Sequence, residues 1–391
     1  MLSPAFGCVD IILDMNKTEN QPSEILISAS NLLEQADPPI ESHFFRRHGR
    51  KIAGSLVSLI FIGIPFILAT IKFIEKLQIG HDLGVSFFIE QFSKYFLMTA
   101  GIFWFFFFGA SFGSFLNVIA WRLPRGGTLL GSSYCESCNT KLKMRDNFPI
   151  FGWLWLRGKC RTCEVEISGR YIIVELISAV AIGTLALMEM IGAGANLFHL
   201  WSVDIEFMFR KFVLSPEPRF IAYFLIHSCL IFILMTTGLV SLQQQRIPRN
   251  IFYFGFFVSI ITSICWPQAI PFTHTNQPMT SINSTFASVL PMLCGLGSGG
   301  ILGVLSTYLL MRKNFREAPE FTILMALTGS FLGWQATFVA GCLTGIVLLL
   351  TRIFSKRYSA AELLWLSVII TILTFRFWME WFRNWFPGNF I

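Results

Sequence analysis

GASFGSFLNVIAWRLPRGGTLLGSSYCESCNTKLKMRDNFPIFGWLWLRGKCRTCEVEISGRYIIVE, residues 109–175, decides how the rest of this chain reads. Two Cys-x-x-Cys pairs stand in it, Cys135 with Cys138 and Cys160 with Cys163, separated by 21 residues. Each pair turns two sulfurs toward one point, and two such turns supply the four soft ligands of tetrahedral zinc. The sulfurs bind as thiolates, and Lys141, Lys143, Lys159 and Arg161 lie beside them, where positive charge lowers thiol pKa values. The stretch has too few aliphatic residues for a core of its own. A structural zinc, worth about 10–16 kcal/mol in small sites, would decide whether it folds. A pair of disulfides is the alternative, and it requires an oxidising compartment. Nine Lys and Arg fall between positions 120 and 170, a density that places the loop on the cytoplasmic side of a membrane, where thiols stay reduced.

The whole chain supports a membrane setting. Of its 391 residues 54% are hydrophobic, 42 are Phe and only 14% are charged, against about 25% in soluble proteins. The net charge of +7 comes from Lys and Arg in short loops between apolar runs, so it reads as a topology signal and not as a nucleic-acid surface. The predicted fold class is an α-helical polytopic membrane protein in the lipid bilayer, with a small cytoplasmic zinc-binding loop. Residues 1–52 are polar and form a flexible cytoplasmic extension; 53–94 hold one additional span and a linker. Spans follow at about 95–119, 171–193, 219–242, 250–269 and 286–311, then a tight pair within 321–352, and a last one at 360–382. That makes nine spans, with the N-terminus inside and the C-terminus outside. The basic loops 243–250, 312–317 and 352–357 fall inside by alternation; 194–218, with Arg210 and Lys211, strains the rule.

Gly109 and Gly113 have the small-xxx-small spacing of close helix packing, with Asn117 as a polar packing or cap residue beyond them. Glu175 lies one turn inside its span, where an acid needs a partner; Arg122 or Arg170 is predicted to supply it. The other five cysteines have no partner spacing.

The segments GASFGSFLNVIAWRLPRG (109–126), CESC (135–138), DNFPIFGWLWLRGKCRTC (146–163) and SGRYIIVELIS (168–178) together resemble the N-terminal half of type IV prepilin leader peptidases. The resemblance covers about 75 residues in order and implies an aspartic peptidase of the bacterial cytoplasmic membrane. Such enzymes cleave leaders from prepilin or pseudopilin-like proteins at the cytoplasmic face. Many also N-methylate the new N-terminus with S-adenosylmethionine, a donor for which Asn117 could line the site. The resemblance implies a core of about eight spans, with the first span an addition, and divides the chain into a 95–193 N-terminal region and a 194–391 peptidase-like membrane domain.

An aspartic peptidase needs two carboxylates that share a proton, one as base on water and one as acid. The family places its first Asp seven residues before a proline; here Pro248 is that proline and Ser241 stands seven residues back. The second Asp precedes a GAFLGW-like pattern; GSFLGWQ (329–335) matches it, and the corresponding position is Phe321. An alternative alignment uses GLGS (295–298), again with Ser in place of Asp. The last Asp of the chain is Asp204, on the outer side by the charge pattern. Glu317, Glu320 and Glu362 are the candidate substitutes, although Glu320 beside Pro319 also suits a helix start on its own account. No HExxH motif supports a metalloprotease, and Gly297-Ser298-Gly299 with His227 on another span reads as packing before it reads as a serine site. Two functions follow: a member of the peptidase family with cleavage weakened or lost, and a non-proteolytic zinc-bearing protein that binds or assembles pilin-like partners.

Overall fold

The computed structural model describes residues 48, 51–52, 54–78, 84–192, 205–266, 282–310, 318–353, 360–375 and 377–379. Nearly all of the polar extension, Asp204, Glu317 and most of the 270–285 loop lie outside the described residues. The helices are α1 (Gly54–Gln78), α2 (Val85–Arg122), α3 (Phe151–Leu156), α4 (Arg170–Ile191), α5 (Ile205–Leu214), α6 (Pro218–Leu242), α7 (Arg249–Cys265), α8 (Ile282–Leu310), α9 (Ala318–Ile353) and α10 (Ala360–Leu373). Among the described residues the only β-pairing is two isolated bridges in the cysteine loop.

α2 has 38 residues, about 57 Å at 1.5 Å per residue, nearly twice an apolar bilayer thickness of ~30 Å. Its two halves therefore serve different partners. The N-terminal half meets α1 edge to face, Phe61 against Phe103 at 4.9 Å and Phe66 against Phe88 at 5.6 Å. The C-terminal half meets α4 backbone to backbone. A Cβ at Gly113 would come within 2.8 Å of Glu175 Cα, and one at Gly109 within 3.0 Å of Ala179 Cα, so glycine is what lets these helices close. The predicted packing role of both glycines is what the contacts show.

The second half of the chain is organised around α6, whose Leu230, Ile231, Leu234 and Val240 are wholly buried. α6 packs on α10, while α8 lies against α9 along a glycine stripe. Gly295, Gly299 and Gly303 face Gly329, Met325 and Thr322 in turn, an antiparallel register with no room for a Cβ. GLGS thus lies within a helix and packs. α9 is a single segment only by its hydrogen bonds. Gly333 has φ 81 and ψ 174, which only glycine adopts freely, and a Cβ at Gly341 would lie 3.0 Å from Met325 Cε. Residues 325 and 341 would be about 24 Å apart in a straight helix, so the chain reverses at Gly333.

Among the described residues, length and composition mark six helical stretches able to cross a membrane: Gly54–Gln78, Val85–Arg125, Arg170–Ile191, Pro218–Leu242, Val289–Tyr308 and Pro319–Thr351. The nine predicted spans exceed this because α7 and α10 are shorter apolar helices, and because α9 is one stretch despite its reversal. α5 stands inside 194–218, the segment that strains the charge rule. Its Phe209 presses on Gly101 of α2, and Phe212 lies 6.2 Å from Phe105.

Candidate metal centre and adjoining cavity

Between α2 and α4 the chain builds two turns of the same design. Cys135 N–H donates to Thr140 O, Asn139 N–H to Cys135 O, and the bridge Tyr134–Lys141 closes the first turn. Cys160 N–H donates to Val165 O, Glu164 N–H to Cys160 O, and Lys159–Glu166 closes the second. Asn139 and Glu164, one residue past each pair, both take a left-handed backbone, with φ 51 and 58. The repetition brings four sulfurs together: Cys135 lies 3.8 Å from Cys163, Cys138 lies 3.9 Å from Cys160, and all four lie within 4.8 Å of one another. A tetrahedron of sulfurs at 2.3 Å from a central zinc has edges of ~3.8 Å. All four are free cysteines, and the cluster can bind a metal ion with that geometry.

The thiols ionise unequally. The Thr140 hydroxyl, then the Thr140 backbone N–H, lower Cys138 to about 6. Backbone N–H groups of Cys163 and Thr162 lower Cys160. Cys163 is raised to about 12: the Val165 N–H favours its thiolate, but desolvation and the neighbouring sulfurs outweigh it. Hydrogen bonds lower Cys138 and Cys160, desolvation and the neighbouring sulfurs raise Cys163, and the lysines expected from the sequence are not among these causes. Arg161 is engaged elsewhere, its Nε donating to Asp146 Oδ2 at 3.0 Å, and Arg161 first of all holds the Asp146 carboxyl below its ordinary value.

Under the module, against the Arg122 and Arg170 ends of α2 and α4, lies a cavity of about 400 Å³. Trp121, Tyr134 and Tyr171 give it aromatic faces; Asn117, Glu136 and Glu175 are among its polar groups. Asn117 Nδ2 donates to Tyr171 O at 3.3 Å, tying the two helices at its floor. Glu175 is not paired with Arg122 or Arg170 as predicted. Its Oε2 accepts the Ile150 N–H at 2.6 Å and the Ser114 side chain also bonds to it, while Arg122 donates to the carbonyls of Thr128 and Ser132. The loop folds back so that a backbone donor reaches the acid before either guanidinium does.

The peptidase-like positions lie at the same end of the bundle, where Arg125 of the module bonds Gln243 just past α6. Ser241 Oγ donates to Glu362 Oε1 at a long 3.5 Å. Phe321 is 3% exposed and, with Ser306, Gly341, Thr344, Leu348 and Ala360, lines a small void. Of the three candidate glutamates, Glu362 stands beside Ser241, Glu320 lies in the first turn of α9, and Glu317 is outside the described residues.

Sequence reasoning missed the Asp146–Arg161 pair, the Ile150 contact and a buried pair, Glu189 with His227, 2.5 Å apart between α4 and α6. Acidic and histidine residues inside apolar runs were the available signal for the last; Ile150 offered none.

A family model described as Bacterial Peptidase A24 N-terminal domain matches residues 107–189, the region just described. A protein of Escherichia coli O78:H11 named "Type 4 prepilin-like proteins leader peptide-processing enzyme" is 37% identical over 92 residues, 19% of this chain and 34% of the relative. A "Prepilin leader peptidase/N-methyltransferase" of Aeromonas hydrophila is 26% identical over 314 residues, 73% of this chain and 93% of the relative. One from Pectobacterium carotovorum subsp. carotovorum is 25% identical over 292 residues, 66% of this chain and 88% of the relative. The chain thus spans about a third of the first relative and most of the other two. No solved structure matches.

Proposed function

Taking the chain as a member of the type IV prepilin peptidase family, we propose that it acts on the N-termini of prepilin-like or pseudopilin-like proteins at the cytoplasmic face of the bacterial inner membrane, with methyl transfer retained and leader cleavage weak or absent. Residues 1–52 are then the cytoplasmic extension, 53–94 the added span and linker, 95–193 the methyl-transfer region and 194–391 the peptidase-like domain, with nine spans in all. Zinc, held by Cys135, Cys138, Cys160 and Cys163, is structural.

The observation that carries the proposed loss of cleavage is Phe321, a buried side chain with no titratable group where a carboxylate would be needed. Phe321 cannot exchange a proton, and Ser241 is not ionised at neutral pH. Glu362 places a carboxylate beside Ser241 and Glu320 lies in the first turn of α9, but a proton-sharing pair needs two carboxylates placed on one water, and neither family position holds one.

The cavity suits the methyl donor. Its volume lies within the ~300–1,000 Å³ of small-molecule sites, and aromatic faces with nearby carboxylates favour a sulfonium cation. S-adenosylmethionine, when bound, supplies an activated methyl group. Trp121, Tyr134 and Tyr171 would enclose it, and Asn117 would hold the floor.

Membranes carrying the chain, given a prepilin and methyl-labelled S-adenosylmethionine, test both halves. Label should enter a substrate already cleaved by another peptidase, while the uncleaved substrate stays intact. Robust cleavage by the unmodified chain would overturn the proposal. If neither reaction occurs but the prepilin co-purifies with the chain, the second reading holds, a non-proteolytic binder of pilin-like partners, which the burial of Phe321 equally favours.

A further inference from the structure

The segment Pro149–Phe151 makes a tight reversal that its sequence does not favour. Phe151 N–H donates to Pro149 O at 2.6 Å, a three-residue γ-turn around Ile150, whose φ is 64 and ψ −57. This form of the γ-turn is rare and strained, and a β-branched residue is among the least suited to a positive φ. Such a conformation persists only where its surroundings over-determine it.

Three surroundings do so. Phe148 stacks on Phe107 of α2 at 4.9 Å, anchoring the approach to the turn. Gly152 N–H donates to Phe148 O at 2.7 Å, and Gly152 fits against the Asp146 carbonyl where no Cβ would. The third is the Ile150 N–H itself, which the turn leaves pointing away from the loop and which donates to Glu175 Oε2 at 2.6 Å. Glu175 is 8% exposed on a helix locked to α2 through Gly113, so its carboxylate is a fixed point. At 2.6 Å the contact is a short hydrogen bond. The residues on either side of the turn, Asn147 and Phe148 before it and Trp153 after it, line the cavity together with Glu175.

We propose that Glu175 is a positioning residue: by holding the Ile150 N–H it keeps the strained turn closed, and so keeps in place the wall of the cavity that receives the methyl donor. The inference rests on the assignment of that cavity in the proposed function. Glu175 meets the Ile150 N–H with a carboxyl oxygen; the amide of Gln has one oxygen in place of two, and its NH2 can turn toward the same donor. Relief of the strain should replace that contact. Glycine takes positive φ without a Cβ clash, so the same turn with glycine at its centre depends less on the tie.

The test uses the zinc-loaded full chain in detergent, with the parent, Glu175→Gln, Ile150→Gly and the double variant. Three quantities are measured: zinc content, amide hydrogen exchange of residues 147–152, and calorimetric affinity for S-adenosylmethionine and S-adenosylhomocysteine. Glu175→Gln should keep about one zinc per chain, speed exchange across 147–152 and weaken nucleoside binding about tenfold, the scale of one weakened buried hydrogen bond. Adding Ile150→Gly should recover most of both losses. Unchanged exchange in Glu175→Gln, or a double variant no better than Glu175→Gln alone, would overturn the proposal. If the parent binds neither nucleoside, the cavity assignment fails, while the exchange measurements still decide whether Glu175 holds the turn.

Discussion

The cysteine module and the Ser241–Phe321 region lie at one end of the same bundle and contrast in how their chemistry is assembled. The module draws its four sulfurs from two short turns, each fixed by its own hydrogen bonds and bridge, and only the relative placement of the turns is left to tertiary structure. The other region draws Ser241, Phe321 and Glu362 from α6, α9 and α10, so each pair distance depends on how three helices pack. A site made of local turns survives drift elsewhere in the chain. A site made between helices depends on packing for its chemistry, and on the proposed reading a buried Phe321 would keep the packing without supplying a carboxylate.

Removing the metal should separate the two regions most strongly. Cys135→Ser with Cys160→Ser, or a strong chelator, takes away roughly 10–16 kcal/mol of folding energy from the module. Protease cleavage within 126–168 should then become fast while α6 to α10 stay protected, with zinc falling from about one per chain to none. Equal loss of protection in both regions would show that the module is not an independent unit.

The reverse experiment introduces the carboxylate pair that the proposed function finds missing. Ser241→Asp with Phe321→Asp should raise prepilin cleavage at least about 100-fold over the parent, the scale of a positioned acid and base. Zinc content should be unchanged. No gain in a folded variant would mean that Phe321 and Ser241 do not sit at catalytic distance, and the contrast between the two regions would need another cause.

Smaller effects are expected from the helix seam. Gly299→Leu forces a side chain against the Met325 backbone and should cost about 1–3 kcal/mol of stability in detergent. Gly297→Ala, two residues away with nothing within 4 Å, should stay within about 0.5 kcal/mol. Similar melting shifts for both would contradict the register of α8 on α9.

The least effect belongs to Asp146→Asn. Asp146 is largely buried but Arg161 is about a third exposed, so solvent screens the pair and about 1 kcal/mol is expected at neutral pH. The Asp146 pKa is lowered on folding, so this stability is complete above the unfolded value of about 3.9 and disappears as pH falls through the folded value. Denaturation curves should therefore differ by a constant amount down to about pH 4 and converge below it. A gap that closed nearer neutrality would point to the cysteines instead.

Much of this molecule was legible in its residues. Two Cys-x-x-Cys pairs imply a four-sulfur site because two intervening residues leave each pair little choice of direction. Apolar runs imply membrane helices because backbone groups have no other way to be satisfied in lipid. Gly109 and Gly113 imply a close helix contact because small-xxx-small spacing puts two hydrogens on one face. These are matters of local geometry. The partner of Glu175, the reversal of α9 at Gly333 and the placing of Glu362 beside Ser241 were settled only by tertiary structure. Each depends on where two segments far apart in sequence come to rest. A buried carboxylate takes whichever donor packing brings within reach, and here that was the backbone of a strained turn rather than either arginine.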